Sequence, residues 1–345
     1  MKAISYESFG GALSYGNLPD PEAKAASVVI NVKATGLCRS DWHGWMGHDA
    51  DIVLPHVPGH EFAGEVVEVG ADIKKWAPGD RVTVPFVSGC GHCEPCVSGN
   101  QQVCHQQFQP GFTAWGSFAQ YVAIDYADHN LVRLPEEMTY ETAASLGCRF
   151  ITAFRAIVDI GNVKGGEWVT VFGCGGVGLS AIMIAATMGA QVIAIDIDDQ
   201  KLTEAEKVGA CATLNDKNTA DLIDAIKSLT NGGAHLSVDA LGSQETCYNS
   251  IANLRTQGRQ VQVGLMAGND LNPSIPMHLV IAKELSIHGS HGMQSYRYPA
   301  VFDMIKTGKL KPEILIGDTI SLMEVVERLP NMNSFPGTGV TVISV

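Results

Sequence analysis

No charged residue occurs between Trp168 and Ile195, and this uncharged run is interrupted by Gly173, Gly175, Gly176, Gly178 and Gly189. About 18 apolar residues suffice to cross a bilayer, so length alone would allow a membrane span. The glycines instead divide the run into a Val-rich stretch, an Ala/Met-rich middle and a second Val/Ile stretch. That pattern predicts a buried strand, a tight turn, a helix and another buried strand. The turn reads Gly173-Cys174-Gly175-Gly176-Val177-Gly178, a GxGxxG motif between strand and helix. Its first glycine permits the turn, its second lets the backbone approach a pyrophosphate, and its third lets helix and strand pack closely. The helix N-terminus supplies N–H donors and partial positive charge. Asp196 closes the second strand, about 20 residues on, where a carboxylate binds ribose hydroxyls. Asp198 and Asp199 follow and no arginine is near. Three carboxylates repel a 2′-phosphate, which favours NAD over NADP.

Around this turn the chain alternates between strand and helix patterns. Strands are predicted at residues 169–172, 192–196, 236–239, 260–263 and 285–289, and helices at 176–188, 200–208, 220–229 and 245–254. Such alternation indicates an α/β fold with a doubly wound parallel sheet. The preceding residues read differently. Short strands at 27–34, 61–69, 80–85 and 118–124, punctuated by Gly and Pro, suggest a β-rich unit, and residues 142–160 read as one helix stopped at Gly161. At ~150 residues per domain, 345 residues make about two domains. The expected division is 1–149, 150–290, and 291–345 returning to the first domain.

A net charge of −13 without a basic run argues against nucleic acid or an anionic membrane as partner. The nine cysteines are odd in number, and residues 1–7 lack the apolar core of a secretory signal. Metal ligation or burial is therefore expected rather than disulfide pairing, in a cytoplasmic setting. Cys90, Cys93, Cys96 and Cys104 form C-x2-C-x2-C-x7-C in a glycine-rich loop. Four thiolates this close can close a tetrahedral shell around Zn²⁺, leaving no open position, so this site is expected to be structural. His92 and His105 are expected to face solvent, and Cys174, Cys211 and Cys247 to be buried.

The motifs CRSD at Cys38–Asp41 and GHE at Gly59-His60-Glu61, with the four-cysteine loop and the GxGxxG turn, occur in an order that resembles the zinc-dependent alcohol dehydrogenases of the medium-chain dehydrogenase/reductase superfamily. The resemblance covers essentially the whole chain. It implies a GroES-like β-rich catalytic domain and a Rossmann coenzyme domain. It also implies that Cys38, His60 and Cys148 hold a catalytic zinc, that Glu61 lies nearby, and that Asp41 orients the ligand histidine. Ser40 and His43 match a proton relay, Arg39 a pyrophosphate contact and Thr152 a neighbour of the nicotinamide. Val263 and Leu265 fall where backbone groups bind the carboxamide. Phe86 matches a large pocket residue, with Trp45 and Trp115 as further pocket candidates.

These correspondences imply NAD-linked interconversion of primary or secondary alcohols with aldehydes or ketones. They also imply two Zn²⁺ per chain and a homodimer or homotetramer. Polyol dehydrogenases on this scaffold usually carry Glu where this chain has Cys148, which favours simple alcohols. A polyol or sugar-alcohol dehydrogenase on the same scaffold stays an alternative, since Glu61 and Arg149 could serve a polar substrate; a zinc-free reductase or a non-catalytic dinucleotide-binding relative is another, against which the retained Cys38, His60 and Cys148 argue. Two departures stand out. No basic residue follows Gly337, where many relatives carry a pyrophosphate-binding arginine. Arg149 replaces a small residue, and either a coenzyme phosphate or a carboxylate could be its partner.

Overall fold

A computed structural model describes residues 1–334, Gly337 and 339–345. Two compact units emerge: Met1–Ile151 with Gly292–Lys306 and Lys311–Val345, and Thr152–His291 with Thr307–Leu310.

In the second unit, residues 168–195 form the strand Trp168–Phe172, the helix Gly176–Thr187 and most of the strand Gln191–Asp196. Val169, Val171 and Phe172 are fully buried, as are Val192, Ile193 and Ala194, so the missing charges reflect strands covered on both faces. Among the described residues no helix is long and apolar enough to cross a membrane. Six strands make one parallel sheet in the order Ala212–Asn215, Gln191–Asp196, Trp168–Phe172, Ala234–Asp239, Leu254–Gln262, Ser286–Gly289. The chain thus winds outward in both directions from Trp168–Phe172, which is the doubly wound Rossmann order. Ala212–Asn215 carries no strand pattern in the sequence, because every one of its residues is only partly buried. Cys211, just before it, is exposed rather than buried, since this strand lies at the sheet edge.

The first unit is built on Ser27–Leu37, whose 11 residues pair antiparallel with Phe62–Val69, Tyr121–Asp125 and Val340–Ser344. Val28, Ile30, Phe62, Val82 and Val122 form its apolar core. The helix expected over 142–160 is instead a relay of short pieces. Tyr140–Ser145 is α-helical, Leu146–Phe150 is a π-helix, Ile151–Phe154 is α-helical, and Arg155–Ile160 is again π. Apolar periodicity could not show this, because a π segment shifts the phase of a helix without breaking its pattern.

Candidate active site and metal centres

Cys38 caps the helix Arg39–Trp45, and its N–H donates to Asp41 Oδ2 at 2.8 Å. The other oxygen of Asp41 accepts from Gly59 N–H at 3.1 Å and from His60 Nδ1 at 2.8 Å. One carboxylate thereby fixes the helix start and the tautomer and tilt of His60, about 20 residues downstream. His60 Nε2 is buried and has no hydrogen-bond partner. The π-helix brings Cys148 to the same place. Ligand atoms of Cys38, His60, Glu61 and Cys148 all lie within 4.8 Å of one another.

A buried, partnerless imidazole nitrogen facing two thiols costs free energy unless a further group uses it. Two sulfurs and one imidazole nitrogen are a donor set suited to Zn²⁺ with an open fourth position. The residues therefore fit the expected metal. The adjacent Cys148 thiol and the imidazole of His60, together with the Arg149 guanidinium, hold the Cys38 thiol well below its usual range despite burial. The same pairing, with burial, raises Cys148.

Arg149 answers the question its position raises: its partner is a carboxylate. Its Nε donates to Glu61 Oε1 at 3.0 Å, its Nη2 to Glu61 Oε2, and its Nη1 to the Leu37 carbonyl at 3.0 Å. Side-chain exposure is 8% for Arg149 and 0% for Glu61. Burial pushes Glu61 up to about 7, and Arg149 limits the rise. Gly36 makes room for the pair, since a Cβ there would sit 2.2 Å from Glu61 Oε2.

Phe86 and Phe112 flank the imidazole of His60, with ring centroids at 6.2 and 5.2 Å. No motif marked Phe112. Trp45 packs in the apolar cluster of Ile4, Leu13 and Leu37, and its Nε1 donates to the Gly11 carbonyl. Trp115 is partly exposed and donates to the Pro55 carbonyl. Arg39 stacks on Trp42 with its guanidinium carbon 3.9 Å from the ring centroid, and donates to the Met332 carbonyl. Ser40 and His43 lie on the same helix, both partly buried.

Cys90, Cys93, Cys96 and Cys104 converge as a second group. Cys93 and Cys104 Sγ are 3.6 Å apart, and Cys90 and Cys96 Sγ 4.0 Å. A tetrahedron of ~2.3 Å Zn–S bonds has edges of ~3.8 Å, so the spacing fits a closed four-thiolate shell. Cys104 Sγ accepts from the backbone N–H of Cys90 and Gln106 at 3.3 and 3.2 Å. Asn130 braces the loop by exchanging two hydrogen bonds with Gly89. His92 and His105 are exposed.

In the second unit the glycine-rich turn has the required geometry. Gly173 has φ +88°, and a Cβ on Gly178 would lie 1.7 Å from the Gly173 carbonyl oxygen. A Cβ on Gly175 would meet nothing within 4 Å, so the turn leaves space on that side. The following helix, which contains Gly176, Val177 and Gly178, has no side-chain cap. Asp196 braces the turn, accepting from Cys174 N–H at 2.7 Å through Oδ2 and from Ile197 N–H at 2.8 Å through Oδ1. Val263 N–H donates to the Asp239 carbonyl, and the Leu265 side chain is exposed. Thr152 Oγ1 is buried without a partner.

A dinucleotide turn on one unit and a thiolate–imidazole centre on the other define a class of metal-assisted oxidoreductases. The comparisons with known proteins agree. Residues 24–136 match the family model for the alcohol dehydrogenase GroES-like domain, and residues 176–307 that for zinc-binding dehydrogenase. An alcohol dehydrogenase of Schizosaccharomyces pombe is 33% identical over 97% of this chain and 95% of its own. One from Geobacillus stearothermophilus is 35% identical over 77% of this chain and 78% of its own. A solved NAD-dependent alcohol dehydrogenase superposes with a TM-score of 0.90 at 30% identity, covering 100% of both chains. The chain belongs to the zinc-type alcohol dehydrogenases of the medium-chain dehydrogenase/reductase superfamily.

Proposed function

We propose that this chain is a zinc-dependent, NAD-linked alcohol dehydrogenase that interconverts primary or secondary alcohols with aldehydes or ketones by hydride transfer. The observation that carries the reading is the free, buried Nε2 of His60, aimed at the thiols of Cys38 and Cys148 while Asp41 holds Nδ1. When bound there, Zn²⁺ lowers the pKa of a coordinated hydroxyl and polarises a carbonyl oxygen. The chain's own residues do the rest. Asp41 orients His60 and closes the Cys38 cap. Ser40 takes the hydroxyl proton and His43 carries it toward solvent. Phe86 and Phe112 wall the position beside His60 and favour an apolar substituent on the alcohol carbon. Gly173, Gly175, Gly176, Val177 and Gly178 cradle the pyrophosphate of NAD, and Asp196 selects against a 2′-phosphate.

A second zinc at Cys90, Cys93, Cys96 and Cys104 has a structural role in this reading. The protein also pairs with a second copy. Ser286–Gly289 is a terminal strand of its sheet with all four residues exposed, and Ile281, Met277 and Leu271 nearby in sequence are exposed apolar residues. An uncovered edge strand of this kind invites pairing across a two-fold axis. Light scattering that finds a monomer overturns the pairing. The activity is tested by a panel of primary, secondary and aromatic alcohols with NAD and NADP, together with metal analysis. Oxidation with NAD and two zinc ions per chain are expected. One or no zinc, or no turnover with any alcohol, overturns the reading.

A further inference from the structure

His43 is not the end of its own hydrogen-bond chain. Its Nδ1 lies 2.9 Å from Nδ1 of His48. The backbone builds this contact. The helix stops after Trp45, Gly47 turns the chain at φ +79°, and His48 N–H donates to the His43 carbonyl at 3.0 Å. The chain thus doubles back and lays the second imidazole against the first. Trp42, a buried ring, meets both edge-on, with centroids 5.1 Å from His43 and 5.7 Å from His48. Arg39 stacks on Trp42. His43 is partly buried, and His48 is exposed.

The separation says what the pair shares. Two nitrogens on one Zn²⁺ at ~2.05 Å each lie ~3.3 Å apart in a tetrahedral site. At 2.9 Å they share a proton, one ring donating through Nδ1–H and the other accepting. We infer that His48 is the solvent-side exit of the proton path through His43. This step rests on the proposed alcohol oxidation. A proton arrives at Nε2 of His43. The Nδ1–H bond of His43 breaks as an N–H bond forms at Nδ1 of His48, and the Nε2 proton of His48 leaves to water. One proton enters, one leaves, and no charge stays on either ring. The rings end in opposite tautomers, the arrangement carbonyl reduction needs to draw a proton inward. For a second oxidation, each ring returns to its starting tautomer by exchanging its proton with water, His43 losing Nε2–H and regaining Nδ1–H while His48 does the reverse.

The surroundings drive the transfer outward. Burial, with Arg39 and His48 beside it, lowers His43 to about 4, so a proton is not held there. The titratable groups facing His43 are Arg39, His48 and Cys38. His48, being exposed, meets water directly.

The test is His48→Gln in the zinc-loaded, full-length protein. The glutamine amide can keep the hydrogen bond to His43 but cannot pass a proton through itself. A positioned acid–base group contributes ~10²–10⁴-fold, and water replaces part of an exposed one. The expected result is a roughly tenfold lower kcat near neutral pH, with KM for NAD unchanged, a larger solvent deuterium effect, and recovery on adding imidazole. A pH profile and deuterium effect that superpose on wild type overturn the exit, as does a loss that imidazole does not restore. A second arm needs no turnover. With 15N-labelled histidine, His43→Gln should shift the Nδ1 resonance of His48, and an unmoved resonance overturns the shared proton. Wild-type alcohol turnover is measured first, and its absence overturns the functional reading instead.

Discussion

The two candidate metal centres reach similar chemistry by opposite routes. Cys90, Cys93, Cys96 and Cys104 occupy one loop, and nearly everything that holds them lies within it. Cys38, His60 and Cys148 come from a helix cap, the entry to a strand and a π-helix. They meet only because the first unit has folded around Ser27–Leu37. The loop site offers four protein ligands and is closed, whereas the dispersed site offers three good ones and an open position. A local site can therefore stabilise its own segment, while a dispersed site depends on the finished fold and is free to serve chemistry. The difference also predicts which site survives damage to the other.

The largest effect should come from Cys148→Ala. Removing a ligand from the open site should lower kcat by about 10³-fold or more, a loss typical of groups acting directly on the reacting atoms. The melting temperature and NAD affinity should stay close to wild type, and zinc should fall by one per chain. Retained turnover breaks the comparison. Cys93→Ser should do the reverse. Loss of a structural metal belongs to the rare class of changes costing about 4 kcal/mol or more. At ~2–4 °C per kcal/mol in larger domains, calorimetry should show a fall of about 10 °C. Activity per correctly folded molecule should remain. If both variants lose activity and stability together, the division of labour is wrong.

Arg149→Met should be somewhat milder. It strands the buried Glu61 carboxylate beside the open site, and breaking a buried pair from one side costs about 3–5 kcal/mol. Urea unfolding should recover much of that in the double variant with Glu61→Leu, because two apolar side chains can replace the pair. A double variant no more stable than Arg149→Met removes the pair's claim to support the dispersed site.

The same contrast governs how much was legible in the sequence. The four-cysteine loop and the glycine-rich turn are written in consecutive residues, and the periods of strand and helix are local, so the parallel sheet could be read directly. Cys38, His60 and Cys148 cannot be joined by spacing, because separations of 22 and 88 positions along the chain set no distance; only the family resemblance unites them. The partner of Arg149 was open for the same reason, since Glu61 is 88 positions away. Phe112 and His48 carry no motif at all. Residues 43–48 do carry one local signal, because a glycine after a short helix turns the chain back on itself. The strand Ala212–Asn215 is not legible in the sequence, because a partly buried edge strand shows neither a continuous apolar run nor alternation.

Asp196 stands between the two cases, being 22 residues from the turn it braces. Its oxygens already accept from Cys174, Ile197 and Asp198 N–H groups, so the carboxylate has a local task as well as the proposed ribose contact. Asp196→Ala separates them. If Asp196 acts on the ribose, the variant should bind NAD about tenfold more weakly, a change of ~1.4 kcal/mol. NADP, freed from a nearby negative charge, should gain relative to NAD by a similar factor. If Asp196 only braces the turn, both coenzymes lose affinity equally and the preference stays where it was. The ratio of kcat/KM for the two coenzymes reads this directly, and an unchanged ratio assigns Asp196 to the turn alone.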